Sequence, residues 1–338
     1  MNNTDLSPAL TDMAKAADEL TFPPVKMHEG SLGRIPGRIG MVLYLYFREQ
    51  RGLQQRLALL KLVHAFRAQV GEDQWGWWAS EATGKMYFDR KKKFDLQKHE
   101  QHLLNPNKPF AVAMSSVDAG GDSLEEVGDN AQRFFMEVSA NERNMHVGSI
   151  RLYVPLSWAI AQPPTDSLVA LFSQWAADLN ALHGVLGVGV GLSQQNLAQI
   201  DRSYYFDLAK AAHLYPGLIC ENPWEVAMAK GMTSVNWLNF VNDEWLDRIG
   251  GRQAVKAQCK PPVLTADLPN GLLVRAGNDP QIASEHLEHY RTVAKLLKPL
   301  RAIARSGEYS NLEISTPESA MDREVLFRDS EWYLSRFD

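Results

Sequence analysis

The sequence lacks the features that mark disulfide-rich and membrane-spanning proteins. It has only 2 cysteines in 338 residues, Cys220 and Cys259, and they form no CxxC pair. Unpaired thiols in a reducing compartment are therefore expected. No apolar run approaches the roughly 18 residues of a membrane-spanning helix, and residues 1–20 carry acids where a signal peptide would be apolar. We predict a cytoplasmic protein that does not span a membrane.

The sequence also lacks an excess of basic residues. Its 35 Lys and Arg against 40 Asp and Glu give a formal net charge of -5. Non-specific binding of nucleic acid needs a basic surface, so this partner is not expected, whereas a basic protein partner is compatible with the charge. The apolar content of 45% is that of a globular protein. A chain of this length needs neither a disulfide nor a metal to be stable.

Familiar catalytic and nucleotide-binding motifs are missing as well. Gly187, Gly189 and Gly191 form GVGVG, which lacks GxGxxG spacing and lies inside an alternating strand pattern. Residues two apart in a strand point the same way, so these glycines predict a bare strand face that another segment approaches closely. No serine has the GxSxG context of a nucleophile elbow.

Two histidines give an alternative based on metal chemistry. His286 and His289 lie three residues apart in SEHLEHY, on one face of a predicted helix with flanking glutamates. The motif is not HExxH, so a solvated helix face is favoured over a metal site, and the same holds for His99 and His102. No cofactor and no metal are predicted. A cytoplasmic metal-dependent hydrolase remains the alternative to a binding protein.

Apolar patterning predicts an α+β fold, with mixed or antiparallel sheets and amphipathic helices packed on them. Strands are predicted at 39–47, 75–79, 85–88, 109–115, 133–139, 149–155, 184–192 and 272–276. Helices are predicted at 53–70, 167–182, 197–214, 284–297 and 324–337.

The order of these elements predicts the division of the chain. Residues 1–30 form a polar lead-in that we expect to be mobile. Residues 31–338 form the folded region, with a division into two lobes at 31–148 and 149–338. A strand-helix-strand unit occurs twice, at 39–79 and 149–192, which indicates a duplication of shape without matching residues.

The most distinctive stretch is GMTSVNWLNFVNDEWLDRIGG at residues 231–251. Its apolar residues predict a short buried strand, followed by a polar helix start and a short helix. Asn242 or Asp243 supplies the N-cap oxygen, and Gly250 is suited to the left-handed position after the helix. Since it contains no reactive pair at a recognisable spacing, we interpret the stretch as structural.

Acidic residues are the remaining candidates for a functional surface. The stretch 118–130 contains no base and five acids, Asp118, Asp122, Glu125, Glu126 and Asp129. It is either a solubilising hairpin connection or a mimic of an anionic substrate that docks in a basic groove and speeds association. A second acidic surface is formed by Asp243, Glu244 and Asp247.

Residues 231–251 resemble the G-[IM]-x-x-V-N-W-L…L-G-G block of a proteobacterial family of type VI secretion immunity proteins. Further matching pieces follow the same order over roughly residues 35–338: WASE at 78–81, PLSW at 155–158, His183-Gly184, YPGL at 215–218, RAG at 275–277, Tyr290-Arg291, LKPLR at 297–301 and SRFD at 335–338. One departure is the absence of a proline directly after Gly277, which affects only the shape of that loop.

The resemblance implies an antidote that binds and blocks an antibacterial effector of the type VI secretion system. It implies a cognate toxin as partner, encoded by an adjacent gene and often a nuclease, and it offers no catalytic residues. A nuclease would be met in the cytoplasm, where an acidic loop is suited to cover a DNA-binding groove. Binding away from the toxin's active site is an equally open alternative, as is a third function, that of an adaptor or chaperone for an effector.

Overall fold

The structure is a computed structural model that describes most of the chain from Gly37 to Arg301. The described residues are 37–48, 52–80, 85–88, 95–116, 133–140, 147–163, 167–192, 231–232, 235–280 and 287–301. The predicted helices 197–214 and 324–337 and the predicted mobile lead-in 1–30 lie outside these ranges. No helix within the described ranges is both long and apolar enough to cross a membrane.

The centre of the fold is a ten-stranded sheet in which all neighbouring strands are antiparallel. The strands are β1 (Gly37–Arg48), β2 (Trp75–Ser80), β3 (Lys85–Phe88), β4 (Phe110–Ser116), β5 (Phe135–Ala140), β6 (Val147–Pro155), β7 (Ala181–Leu192), β8 (Leu238–Asn242), β9 (Val263–Leu268) and β10 (Gly271–Ala276). Their order across the sheet is β3-β2-β4-β5-β6-β1-β7-β8-β10-β9. With the helices described next, this confirms the predicted α+β class.

Seven α-helices lie among the described residues, together with short 3₁₀ turns. They are α1 (Leu53–Val70), α2 (Leu96–Leu103), α3 (Leu156–Ala161), α4 (Leu168–Asp178), α5 (Asp243–Asp247), α6 (Gly251–Gln258) and α7 (Leu287–Leu297). The predicted bounds of α1 are confirmed. The helix predicted at 167–182 ends earlier than predicted, at Asp178, because Asn180 has a positive φ of 48° and turns the chain into β7.

Strand β1 shows how the sequence separates the two faces of the sheet. Residues alternate in direction along a strand, and on one face Met41, Leu43, Leu45 and Phe47 join the main apolar core with residues of α1 and α4. On the other face Val42 packs with residues of β6 and β7 in a smaller buried cluster. Because both faces of β1 are buried, nearly all residues of this strand are apolar.

A buried arginine connects α1 to the chain beyond α2. Arg56 is 2% exposed, and its guanidinium donates to the carbonyl oxygens of Leu103 at 2.5 Å and Lys108 at 2.6 Å. A buried charge is tolerated when it is hydrogen-bonded in this way. The contact holds α1 against the segment that leads into β4.

The two predicted strand-helix-strand units are both present, but the two strands of each unit lie at different distances from each other in the sheet. In one, β6 and β7 lie on either side of β1, and α3 and α4 connect them. In the other, β1 and β2 are separated by β6, β5 and β4, and α1 connects them. One sheet runs across both parts of the chain, and the division into two lobes stays a prediction.

Candidate functional site

The described residues of the 231–251 stretch form a buried strand followed by a short helix, as predicted. Strand β8 has five buried residues, and the side chain of Asn242 then accepts a hydrogen bond from the Trp245 backbone N–H at 3.0 Å. This N-cap begins α5. Gly250 has a φ of 97°, which is the predicted left-handed position.

Two buried asparagines fix the chain just before β8. Asn239 Oδ1 accepts from the Asn236 N–H at 2.9 Å, and Asn239 Nδ2 donates to the carbonyl oxygens of Asn236 at 2.6 Å and Val274 at 3.2 Å. Asn236 Oδ1 accepts from the Trp237 N–H at 2.6 Å. The two amides therefore satisfy backbone groups of a non-repetitive turn that would otherwise be buried without partners.

Gly187 of β7 makes room for this turn, and Gly189 makes room for a side chain of β1. A Cβ at Gly187 would lie 1.9 Å from Asn236 Oδ1, and one at Gly189 would lie 2.5 Å from a methyl group of Val42. The predicted packing role of these two glycines is therefore confirmed, and it links β7 to residues 231–251.

A buried histidine lies between two aromatic rings near the start of β7. His183 stacks on Tyr46 of β1, with ring centroids 4.8 Å apart, and on Trp245 of α5, with centroids 5.1 Å apart. Neither ring nitrogen of His183 has a hydrogen-bond partner among the described residues. Burial lowers the pKa of His183 from 6.5 to about 3, so the imidazole is neutral in the folded protein.

The three acids of α5 have different environments. The guanidinium of Arg252 binds both carboxylate oxygens of Asp243 at 2.5 and 2.6 Å and donates to the carbonyls of Leu268 and Pro269. The Arg252 hydrogen bond lowers the pKa of Asp243. Lys256 pairs with Asp267 in the same network.

The other two acids of α5 are more accessible. Glu244 forms a 3.0 Å ion pair with Arg48 at the end of β1, and both side chains are 57% exposed. Asp247 makes no ion pair with any residue in the described ranges. The structure thus brings the three acids together on one short helix, with the charges of Asp243 and Glu244 partly compensated by arginines.

Most of the other predicted site residues lie outside the described part of the chain. The five acids of the 118–130 stretch lie outside the described residues, as do His286 and Cys220. The strands on either side of that stretch, β4 and β5, pair directly, as a hairpin connection requires. His289 lies on α7 close to Gly277, and the described ranges contain no group of three side chains able to hold a metal ion.

A surface groove between α1 and α4 was not predicted from the sequence. It has a volume of about 490 Å³ and is lined by Gln54, Gln55, Leu57, Ala58, Lys61, Leu62, Ala65, Leu171, Gln174, Trp175, Asp178, Leu179 and Asn180. The pattern of α1 contained a signal for it, since Leu53 and Leu57 lie outside the stripe of core residues. Leu53 is 55% exposed and Leu57 is 40% exposed.

Comparison with known proteins defines the class of this chain. The family model for type VI immunity proteins described as "Type VI immunity for VRR-NUC" matches residues 58–333. The chain therefore belongs to the TsiV family of type VI immunity proteins. The resemblance seen in the sequence is confirmed.

The fold has a solved counterpart. A type VI secretion system protein of Pseudomonas aeruginosa, PA0821, is 18% identical, with a TM-score of 0.74 over 97% of this chain and 90% of that one. At this identity the similarity shows a shared fold. No curated protein sequence matches the chain.

Proposed function

We propose that this protein binds an antibacterial effector containing a VRR-NUC nuclease domain and neutralises it in the cytoplasm of the producing cell. The family match over residues 58–333 carries the proposal. The protein acts by stoichiometric binding and not as an enzyme. Its partner is the cognate toxin, and we expect the toxin gene to be adjacent.

The charge of the chain supports this partner. A protein that cleaves DNA presents basic groups to the phosphate backbone, and this chain has a net charge of -5. Acidic groups that approach such a surface steer association and increase its rate. The proposed contacts are the acids of the 118–130 stretch, Asp118, Asp122, Glu125, Glu126 and Asp129, and those of α5, Asp243, Glu244 and Asp247.

Two mechanisms are compatible with such binding. The acidic loop occupies the DNA-binding groove and excludes the substrate, or the chain binds elsewhere and distorts the toxin or blocks its assembly. Competition separates them. If a short DNA duplex and this protein displace each other from catalytically inactive toxin, the groove is occluded; simultaneous binding identifies the second mechanism.

Co-expression tests the function directly. We expect the toxin alone to arrest growth of a bacterial host, and the pair to grow and to yield a complex of defined stoichiometry. Absence of both rescue and co-purification would refute the proposal.

Charge reversal tests the loop. Changing Asp122, Glu125, Glu126 and Asp129 together to lysine is expected to slow association and weaken protection, with a smaller effect at high salt. Unchanged affinity for the toxin would show that these acids do not contribute to the interface.

A matched pair of double variants distinguishes the effect of where the acids lie from the effect of the net charge of the protein. Glu125→Lys with Glu126→Lys changes the net charge by the same amount as Asp73→Lys with Glu100→Lys, two exposed acids before β2 and on α2. Only the loop pair is expected to slow association. Equal effects of both pairs would show that total charge, and not the loop, governs the rate.

A further inference from the structure

A half-buried arginine near the end of β10 lies over a buried tryptophan ring. The guanidinium carbon of Arg275 is 5.8 Å from the centroid of the Trp237 indole. At such a distance the face of an aromatic ring attracts a cation. Arg275 is half-buried, and Trp237 is 4% exposed. The indole therefore stabilises the guanidinium from one side.

Both members of this pair are held in place by the fold. The Trp237 indole N–H donates to the carbonyl oxygen of Gly277 at 3.3 Å. Arg275 is paired on one side with Leu238 of β8 and on the other side with Leu264 of β9. Less conformational entropy is therefore lost when a partner binds this arginine, which is the advantage of a preorganised contact.

The positive charge of Arg275 is incompletely compensated within the described part of the chain. Its Nε–H is buried and has no hydrogen-bond acceptor there. Burial lowers the pKa of Arg275, and the charge of Asp279 opposes this effect without forming an ion pair. The guanidinium nevertheless stays protonated. A partly desolvated cation of this kind is stabilised by an anionic group that binds it.

A protein carboxylate is the anion that suits this arginine. A guanidinium presents parallel N–H groups that bind both oxygens of a carboxylate. Arginine and tryptophan are also among the residues that contribute most to the binding energy of protein interfaces. The phosphates of a nucleic acid would be repelled by the net charge of -5 of the chain and by the nearby carboxylate of Asp279. These charges favour a protein partner.

We propose that Arg275, supported by Trp237, binds a carboxylate side chain of the effector toxin. The proposal rests on the proposed function and adds a contact whose charge is opposite to that of the acids of α5. The two contacts are separate, because Arg275 pairs with Leu238 at the start of β8, whereas α5 follows Asn242 at the end of that strand. Contacts of opposite charge at two places favour one orientation of the bound partner.

The affinity test compares two substitutions that each remove one positive charge. Arg275→Gln removes the proposed contact, and Lys61→Gln removes an exposed charge of α1. The probe is the VRR-NUC effector in catalytically inactive form. Arg275→Gln is expected to raise the Kd about tenfold or more, mainly through faster dissociation, and Lys61→Gln to leave it within about twofold. Arg275→Lys is expected to restore only part of the affinity, because an ammonium group lacks the planar fork that binds both oxygens.

An unchanged Kd for Arg275→Gln overturns this proposal and leaves the immunity function intact, whereas failure of the wild-type chain to bind the effector overturns the proposed function itself. Thermal unfolding of the free protein distinguishes a contact with the effector from an ion pair within the chain. Because the charge of Arg275 is partly desolvated in the free protein, Arg275→Gln is expected to keep or raise the melting temperature. If the melting temperature falls together with the affinity, an exchange of charges decides.

The exchange of charges identifies the group that Arg275 binds. Arg275→Glu is combined with effector variants in which each acid is replaced in turn by arginine. One effector variant is expected to restore at least tenfold of the lost affinity, and the same variant is expected to bind the wild-type chain more weakly. Restoration by no effector variant, or equal restoration by all of them, overturns the proposal. It is also overturned if the wild-type chain binds a short DNA duplex and Arg275→Gln does not, because the arginine would then bind phosphate.

Discussion

The amide oxygen of Asn236 occupies the place beside Gly187 where every other amino acid carries its Cβ. A Cβ there would lie 1.9 Å from Asn236 Oδ1 and 2.6 Å from its Cγ. Neither partner can move freely. Gly187 is paired with Val42 in the centre of the sheet, and Asn236 bonds the Trp237 N–H at 2.6 Å.

Gly187→Ala is therefore expected to destabilise the protein by about 1–3 kcal/mol, the usual range for overpacking. Urea unfolding measures the change. The sharper test is a double-mutant cycle with Asn236→Ala, which removes the clashing amide. The cost of Gly187→Ala is expected to be smaller in that background. Equal costs in the two backgrounds would show that the conflict lies elsewhere.

The buried imidazole of His183 makes stability depend on pH. Burial in the folded protein holds the pKa of His183 at about 3, against the ordinary value of 6.5 for a histidine. Below pH 6.5 the unfolded chain binds a proton that the folded chain does not. The free energy of unfolding therefore decreases as the pH is lowered from 6.5 to about 3. The slope approaches about 1.4 kcal/mol per pH unit. Above pH 6.5 this group causes no change.

His183→Phe keeps a stacked ring and removes the titration. We expect urea unfolding at pH 7.5, 5.5 and 4.5 to show a shallower loss of stability for His183→Phe than for the wild type. His64→Gln, at an exposed position of α1, serves as the control for the substitution of a histidine. Parallel curves for wild type and His183→Phe would mean that His183 takes up a proton in the folded state.

Removal of the buried charge of Arg56 is expected to destabilise the folded protein. Arg56→Met keeps most of the side-chain length but leaves the carbonyls of Leu103 and Lys108 without their donor. Each lost bond of this kind costs about 1–3 kcal/mol, so we expect a loss of about 2–4 kcal/mol in urea unfolding. Lys61→Met, on the exposed side of the same helix, is the control and is expected to change stability by less than about 0.5 kcal/mol. Equal effects would contradict a structural role of Arg56.

The two arginine–acid pairs of α5 are expected to differ in strength. Arg252→Gln removes a bidentate contact with Asp243 and two bonds to carbonyls, and we expect it to cost about 1 kcal/mol, discounted for the exposure of Asp243. Arg48→Gln removes only an exposed pair with Glu244 and is expected to cost less than about 0.5 kcal/mol. Thermal unfolding of both variants in one buffer makes the comparison, and the reverse order would contradict it.

Much of the sheet could be predicted because its strands are apolar on both faces or alternate clearly. The run 39–47, the tryptophan strand and its partner 85–88, and the capped helix after β8 were all found in this way. Helices α2, α3 and α6 and strand β9 were missed. Helices α2 and α6 have few apolar residues, and α3 has only six residues. Strand β9 lies at the edge of the sheet and is mostly half-buried, so its pattern is less marked than that of the central strands.

The candidate site was harder to predict, for a physical reason. The acids of α5 are visible in the sequence, but their arginine partners Arg48 and Arg252 are distant from one another along the chain. The groove between α1 and α4 depends on how the two helices pack against the rest of the fold, which no local pattern in the sequence decides. The two leucines on the outer side of α1 are the one local sign of it.

The position of β1 has a consequence for synthesis of the chain. It is the first described strand, yet its partners β6 and β7 begin at Val147 and Ala181. At translation rates of about 5–20 residues per second, β1 waits on the order of 5–20 s for its first neighbour. During that time an almost wholly apolar segment has no sheet to join. Folding of this antidote is therefore expected to be slow and non-local, and newly made molecules depend on protection of β1 until β6 and β7 have emerged.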